Sequence, residues 1–372
     1  MTDPARPFSP QIATVFGGSG FLGRAVVAAL ARRNFRIRVA VRRPNTAGNV
    51  QPFGFPGQIH AVQANLRSPE SVERAVRLSS IVINLVGILQ ARGAQSFEAV
   101  HADGAKAVAA AARAVGARLI HVSALGADLA SPSAYARSKA EGEILVRAAT
   151  PDAVILRPSV IFGPGDSFFN RFAALARMLP VIPLAGAEAR FQPLYVADVA
   201  EAIARAVEGA VPGGRAYELG GPEVKSLREL VQYVLAATGR RRRILELPPT
   251  LARWQAAATE LIDFLTLGLM PRELVLTRDQ LALLGRDNVV SEAARAEGCT
   301  LEGIGIRPTA IEAIVPAYLI RFRKTGQFDI KRDAAFGSAT PDDLAPRSAG
   351  PGSGFHPGQA AGPAAVGERA RR

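Results

Sequence analysis

The sequence predicts an α/β chain: a Rossmann-type, doubly wound parallel sheet with a smaller, mainly helical C-terminal lobe and a disordered tail. Three observations lead there. The run Thr14-Val15-Phe16 feeds directly into a glycine-rich turn and then into an apolar-periodic helix. From about residue 12 to residue 158, short β-branched runs alternate with alanine-rich helical stretches, the pattern of a parallel sheet covered on both faces. Finally, 372 residues with 48% hydrophobic content can bury a full core, enough for one large α/β domain and a smaller companion.

Along the chain, strands are expected at 12–16, 36–41, 59–63, 81–86, 119–123 and 153–156, each rich in β-branched residues. Helices are expected between them at 23–33, 69–77, 97–115 and 135–148, where apolar positions recur three and four apart. After Arg157 the texture changes to a Pro/Gly-rich loop running to Asp166, at the sheet edge where ligands bind in such folds. Residues 10–223 are assigned to the dinucleotide-binding domain, with parts of the small lobe inserted after 157. Residues 224–328 form the mainly helical substrate or interaction lobe. Residues 329–372, rich in Gly, Pro, Ala and Ser, are assigned to the tail.

The turn itself reads Gly17-Gly18-Ser19-Gly20-Phe21-Leu22-Gly23. Its glycines allow a tight bend, a close approach of backbone to phosphate and close helix packing, while the helix start presents unpaired N–H groups and a positive dipole end. A nucleotide is therefore expected there. The second strand selects which one: it ends in Val41-Arg42-Arg43, with no carboxylate to hold a ribose 2′-hydroxyl. A guanidinium suits a 2′-phosphate, so NADP(H) is preferred over NAD(H), with Arg42 as first partner and Arg43 beside it.

Tyr135 and Lys139 stand at i and i+4 of one helix, downstream of Ser123 at the end of the fifth strand. On this reading the ammonium lowers the phenol's pKa for proton transfer, and Ser123 binds a reacting carbonyl oxygen. The histidines at 60, 101, 121 and 356 have no metal-ligand spacing, so no metal is expected; His121 reads as a packed or cofactor-adjacent side chain. Asp198 reads as capping or orienting a helix. The single cysteine, Cys299, reads as a buried, inert thiol.

With these residues the chain resembles the short-chain dehydrogenase/reductase superfamily, in its extended and atypical branches. The resemblance rests on the glycine turn, Asn84-Leu85-Val86-Gly87, Ser123, Tyr135, Lys139, Arg157-Pro158 through Gly163-Pro164, and Tyr195-Val196-Ala197-Asp198-Val199. It implies that Ser19, Phe21, Leu22, Asn65, Leu66, Val86, Gly87, Pro158 and Val160 help to hold the cofactor, Asn65-Leu66 standing where the family carries its adenine contact. Thr277-Arg278-Asp279-Gln280 and Asp287-Asn288-Val289-Val290 look most like one group within it, the NADPH-binding accessory subunits of respiratory complex I and their bacterial homologues. That resemblance implies a cofactor held largely for structure, in or near the respiratory chain or quinone metabolism. The intact Ser/Tyr/Lys set leaves open an active NADP-dependent reductase of a carbonyl substrate. A nucleotide-sugar epimerase or dehydratase fits less well, because the interval from Ser123 to Tyr135 is short and Ala124 replaces a second serine.

The net charge of +13 is almost all arginine, with lysine only at 106, 139, 225, 324 and 331, a skew matching GC-rich bacterial coding. No nucleic-acid motif with base-reading or stacking residues accompanies it. The densest cluster, Arg240 to Arg243, precedes an apolar segment carrying Trp254 and Phe264, so residues 240–270 are the expected face toward a respiratory membrane complex or membrane surface. The first ten residues lack the apolar core of a secretory signal, and no apolar run approaches bilayer length. The expected location is cytoplasmic, or peripheral on the inner face of the plasma membrane.

Overall fold

Seven parallel strands form the central sheet of the computed structural model, which describes residues 11–91, 93–265 (261–265 as backbone alone) and 276–324. The expected tail and part of the 240–270 segment lie outside the described residues. The strands are β1 (Ile12–Phe16), β2 (Arg36–Val41), β3 (Ile59–Gln63), β4 (Ile81–Asn84), β5 (Arg118–Val122), β6 (Val154–Pro158) and β7 (Ala216–Leu219). Their spatial order is β7-β6-β5-β4-β1-β2-β3, so the order reverses between β1 and β4. Ligands of doubly wound sheets bind at such a switch point.

Helices cover both faces. On one side α1 (Phe21–Arg32) and α6 (Val196–Glu208) pack on Val15, Val39, Ile83 and Ile120; on the other, α2 (Pro69–Val76), α3 (Asp103–Ala114) and α4 (Ala134–Ala149) pack on Phe16, Val82 and Leu119. Every residue of β4 is buried, which explains why it reads as a continuous apolar run without alternation. Arg118 to Val122 brings His121 onto the α3/α4 side, beside its register partner Asn84.

The helix expected over 97–115 begins differently. Residues Glu98–Ala102 form a π turn, and α3 proper starts at Asp103. The wider turn lets His101 lie against α4, where a Cβ on Gly142 would come within 2.1 Å of the His101 carbonyl oxygen. Such one-turn π insertions are concentrated at functional sites.

A second core lies under α5 (Phe169–Met178) and α7 (Leu227–Ala237), built from Phe162, Phe169, Leu230, Val234, Val315 and Leu319. The segment after Arg242, read from the sequence as part of the 240–270 face, begins with a strand: Arg243–Leu247 pairs in parallel with Val181–Ala185. The free edge of Val181–Ala185 supplies its ladder, and Ile244 packs on a neighbouring cluster that includes Ile182, Leu184, Val231 and Leu235. Helix α8 (Pro249–Leu265) and the short α9 (Arg278–Leu283) follow, and Cys299 is buried. Among the described residues no helix is long and apolar enough to cross a membrane.

Candidate functional site

The glycine turn is built so tightly that side chains are excluded at three places. Gly17 has φ +79°, a left-handed value that favours glycine. A Cβ on Gly18 would stand 2.9 Å from Val39 Cγ1, and one on Gly23 would stand 2.2 Å from the Gly17 carbonyl oxygen. Helix α1 therefore meets the turn backbone to backbone. No side chain caps α1, so its first N–H groups point, unclaimed, over the turn. This cradle fits the pyrophosphate of a dinucleotide.

Around it the expected cofactor residues fall into place unevenly. Val86 abuts the turn, since a Cβ on Gly17 would meet its Cγ2 at 3.3 Å. Arg42 and Arg43 are exposed just past β2, and the Arg43 carbonyl accepts from Thr46 at the start of a 3-10 turn. Asn65 closes an Asx turn by accepting from Arg67 N–H at 3.2 Å, and Leu66 packs against Gly104 in α3. Pro158 ends β6 and its carbonyl accepts from Leu125 N–H; the Val160 carbonyl accepts from Leu194 N–H.

Lys139 reaches the end of β5 beside Ser123, and Tyr135 stands one turn earlier on the same helix. Helix α4 starts at Ser133, whose hydroxyl accepts from Ala136 N–H, and carries Tyr135 in its first turn. Lys139 is buried and donates through Nζ to the Val122 carbonyl at 3.3 Å, next to Ser123. Burial pulls this ammonium down to about 8, partly offset by the Glu143 charge one turn further on. Glu143 in turn holds a bidentate pair with Arg157 of β6, at 2.6 and 2.9 Å. The buried Ser123 hydroxyl has no hydrogen-bond partner among the described residues. An unsatisfied buried hydroxyl costs about 1–3 kcal/mol, which a bound oxygen would recover.

One expectation is reversed. The Tyr135 phenol is not lowered by Lys139 but pushed up to about 12, by desolvation first and then by the Asp279 charge. It is a phenol that keeps its proton and is a weaker acid than an unperturbed tyrosine.

Two histidines complete this side. Asn84 is oriented by its Oδ1, which accepts from Val86 N–H, so its Nδ2 donates to His121 Nδ1 at 3.2 Å. The proton of His121 is thereby assigned to Nε2, which is buried without a partner among the described residues. His101 lies with its ring stacked on Phe97 and edge-on to Tyr135, 5.4 Å between centroids. Among the described residues no group of three His, Cys, Asp or Glu side chains is placed to hold a metal.

Residues 13–220 match the model of a family described as the NAD dependent epimerase/dehydratase family. The chain belongs to that family. It is 34% identical over 308 residues to NADH dehydrogenase [ubiquinone] 1 alpha subcomplex subunit 9 of Rattus norvegicus, covering 82% of this chain and 78% of the relative. It is 41% identical over 189 residues to a ceramide reductase of Caulobacter vibrioides, covering 51% and 58%. Among solved structures, an NADPH-dependent quinone oxidoreductase of Escherichia coli shares the fold, with a TM-score of 0.62 at 20% identity over 82% of this chain and 99% of that one.

In this epimerase/dehydratase-family chain the site also uses residues that motif reading did not assign to it. Asp279 of α9 reaches the start of α4, accepting from Ser133 Oγ at 2.9 Å and Ala134 N–H at 2.6 Å. Asn288 accepts from Ser159 Oγ at 2.6 Å and donates to the Leu125 carbonyl at 3.2 Å, while Arg286 pairs with Asp128. The segment 277–290 thus ties together the loops after β5 and β6 and the helix that carries Tyr135. The sequence signal available for it was the Thr277-x-x-Gln280 capping box, which does form. Asp198, expected to cap or orient a helix, stands in the first turn of α6 and accepts from Thr309 N–H at 2.7 Å and Oγ1 at 3.1 Å, anchoring the chain just ahead of the helix Ile311–Leu319.

Burial, with the Lys139 charge adding, pushes both His101 and His121 down to about 3. In the unfolded chain each takes up a proton near pH 6.5, whereas the folded chain resists until about 3. Their contribution to stability is constant above about pH 6.5. It falls by about 1.4 kcal/mol per pH unit per histidine as the pH drops from there toward 3. Imidazole resonances followed by NMR should show neither ring titrating between pH 8 and 5; a native-state midpoint near 6.5 for either ring contradicts the assignment.

Proposed function

We propose that this chain binds a nicotinamide dinucleotide along Gly17, Ser19, Gly20, Phe21, Leu22 and Gly23, preferring NADP(H), and reduces a carbonyl compound with Ser123, Tyr135 and Lys139. The observation that carries the reading is the buried Ser123 hydroxyl, unpartnered among the described residues, beside Lys139, with Tyr135 one turn earlier on the same helix. When bound, the nicotinamide supplies hydride to the carbonyl carbon. Ser123 orients the substrate oxygen by hydrogen bond, and Tyr135 gives its proton to that oxygen as the C=O bond becomes C–OH. Lys139 holds the nicotinamide ribose and stabilises the tyrosinate until solvent returns its proton. Similarity to a ceramide reductase supports reduction as the reaction class and an apolar, lipid-like carbonyl compound as the substrate class.

Arg42 and Arg43, free at the end of β2 with no acid there, support the NADP(H) preference. Arg42→Asp should weaken NADPH by about tenfold or more and leave NADH within about twofold; equal losses measured by fluorescence titration contradict the role. Tyr135→Phe should lower turnover by a factor of about 10² to 10⁴ with NADPH affinity retained; unchanged kcat on a true carbonyl substrate contradicts the proton-donor role.

A second reading is favoured by the relatives named as complex I subunits, which align over most of the chain. In it the cofactor is held for structure, and the chain docks on a respiratory membrane complex or the inner face of the plasma membrane. The surface is Arg240, Arg241, Arg242 and Arg243 with the exposed Leu245, Leu251 and Trp254. On gentle cell fractionation this reading puts the protein with the membranes at low salt. Recovery wholly in the soluble fraction overturns it.

A further inference from the structure

The His101 side chain touches both the loop beside the glycine turn and the helix carrying Tyr135. Its Nε2 accepts from Ile88 N–H at 3.0 Å, directly after Val86 and Gly87. Its Nδ1 lies 2.9 Å from Ser138 Oγ, and that hydroxyl donates to the Tyr135 carbonyl at 2.8 Å. Since Ser138 spends its proton on Tyr135, it accepts from His101, and the tautomer is fixed as Nδ1–H with a lone pair on Nε2. Both ring nitrogens are committed, the side chain is buried, and the π turn is what delivers it there.

The loop it grips is the one against the cofactor cradle. Val86 abuts Gly17, and a Cβ on Gly87 would meet Lys139 Nζ at 3.3 Å and His101 Nε2 at 3.7 Å. Charged and titratable groups facing His101 are Lys139 and Tyr135 from α4 and His121 from β5. Loss of the Ile88 bond would leave the loop free to shift relative to the glycine turn. Loss of the Ser138 bond would leave the Tyr135 turn of α4 without its inner support.

We propose that His101 is a positioning residue with two separable duties: through Nε2 it sets the dinucleotide loop, and through Nδ1 it sets Tyr135. The second duty rests on the reductase reading; the first rests only on dinucleotide binding. Two replacements split them by reach. An Asn amide at 101 can occupy the Nδ1 position but not the Nε2 position, and a Gln amide the reverse.

The test is NADPH titration by fluorescence together with steady-state kinetics at saturating NADPH, on the full chain, with thermal melts to confirm folding. His101→Asn should weaken NADPH about tenfold and leave kcat within about threefold. His101→Gln should keep NADPH within about threefold and lower kcat about tenfold or more. Ser138→Ala, which removes the same Nδ1 partner without disturbing the imidazole, should behave like His101→Gln and serves if the histidine variants do not fold. Parallel loss of affinity and turnover in the two His101 variants, or no change in either, overturns the proposal. If wild type binds NADPH yet reduces no carbonyl compound, the reductase reading fails, and the affinity contrast between the two His101 variants alone decides the first duty.

Discussion

The N-terminus of α4 is the joint on which the rest depends. A helix start leaves N–H groups without partners, and here a carboxylate from a distant segment takes them: Asp279 accepts from Ala134 N–H and from Ser133 Oγ. Charge-assisted bonds of this kind contribute about 1.5–3 kcal/mol each. The same helix is held at its middle by His101 through Ser138, and one turn on by the buried Glu143 pairing with Arg157 of β6. Helix α4 is thus pinned to the C-terminal segment, to the loop after β4 and to the sheet. Those three attachments determine where Tyr135 and Lys139 stand relative to Ser123.

This has an electrostatic consequence. An Asp279 charge at the head of the helix completes the cap but also opposes ionisation of Tyr135, and burial acts in the same direction. Lys139, buried with a backbone carbonyl as acceptor and Glu143 as its nearest compensating charge, is displaced the other way. Helix α4 thus carries a phenol that holds its proton more tightly than usual and, one turn on, an ammonium that loses its proton more readily.

Much of the frame was legible in the sequence, for stated reasons. The strand bounds 12–16, 36–41 and 59–63 agree with β1, β2 and β3, because buried parallel strands write themselves as short β-branched runs between turn residues. The glycine turn was legible because each glycine answers a backbone contact that admits no Cβ. What was not legible depends on long-range placement. The π turn interrupts a periodic helical pattern and is set by packing of His101 against α4. The Asp279 cap joins residues 144 and 145 positions apart, beyond any local pattern, and its charge adds to the burial that reversed the expected direction of the Tyr135 shift. Arg243–Leu247 became a strand because Val181–Ala185 offered it an edge.

The chain is thus a member of the NAD dependent epimerase/dehydratase family in which the loop beside the glycine cradle and the helix carrying Tyr135 and Lys139 are joined by buried polar contacts. The central claim is that this cradle takes a reduced nicotinamide dinucleotide. Titration of the purified full chain with NADPH, followed by energy transfer from Trp254 and by the nucleotide's own emission, measures it directly. The account expects saturable binding of one equivalent per chain; the absence of any saturable binding would contradict it.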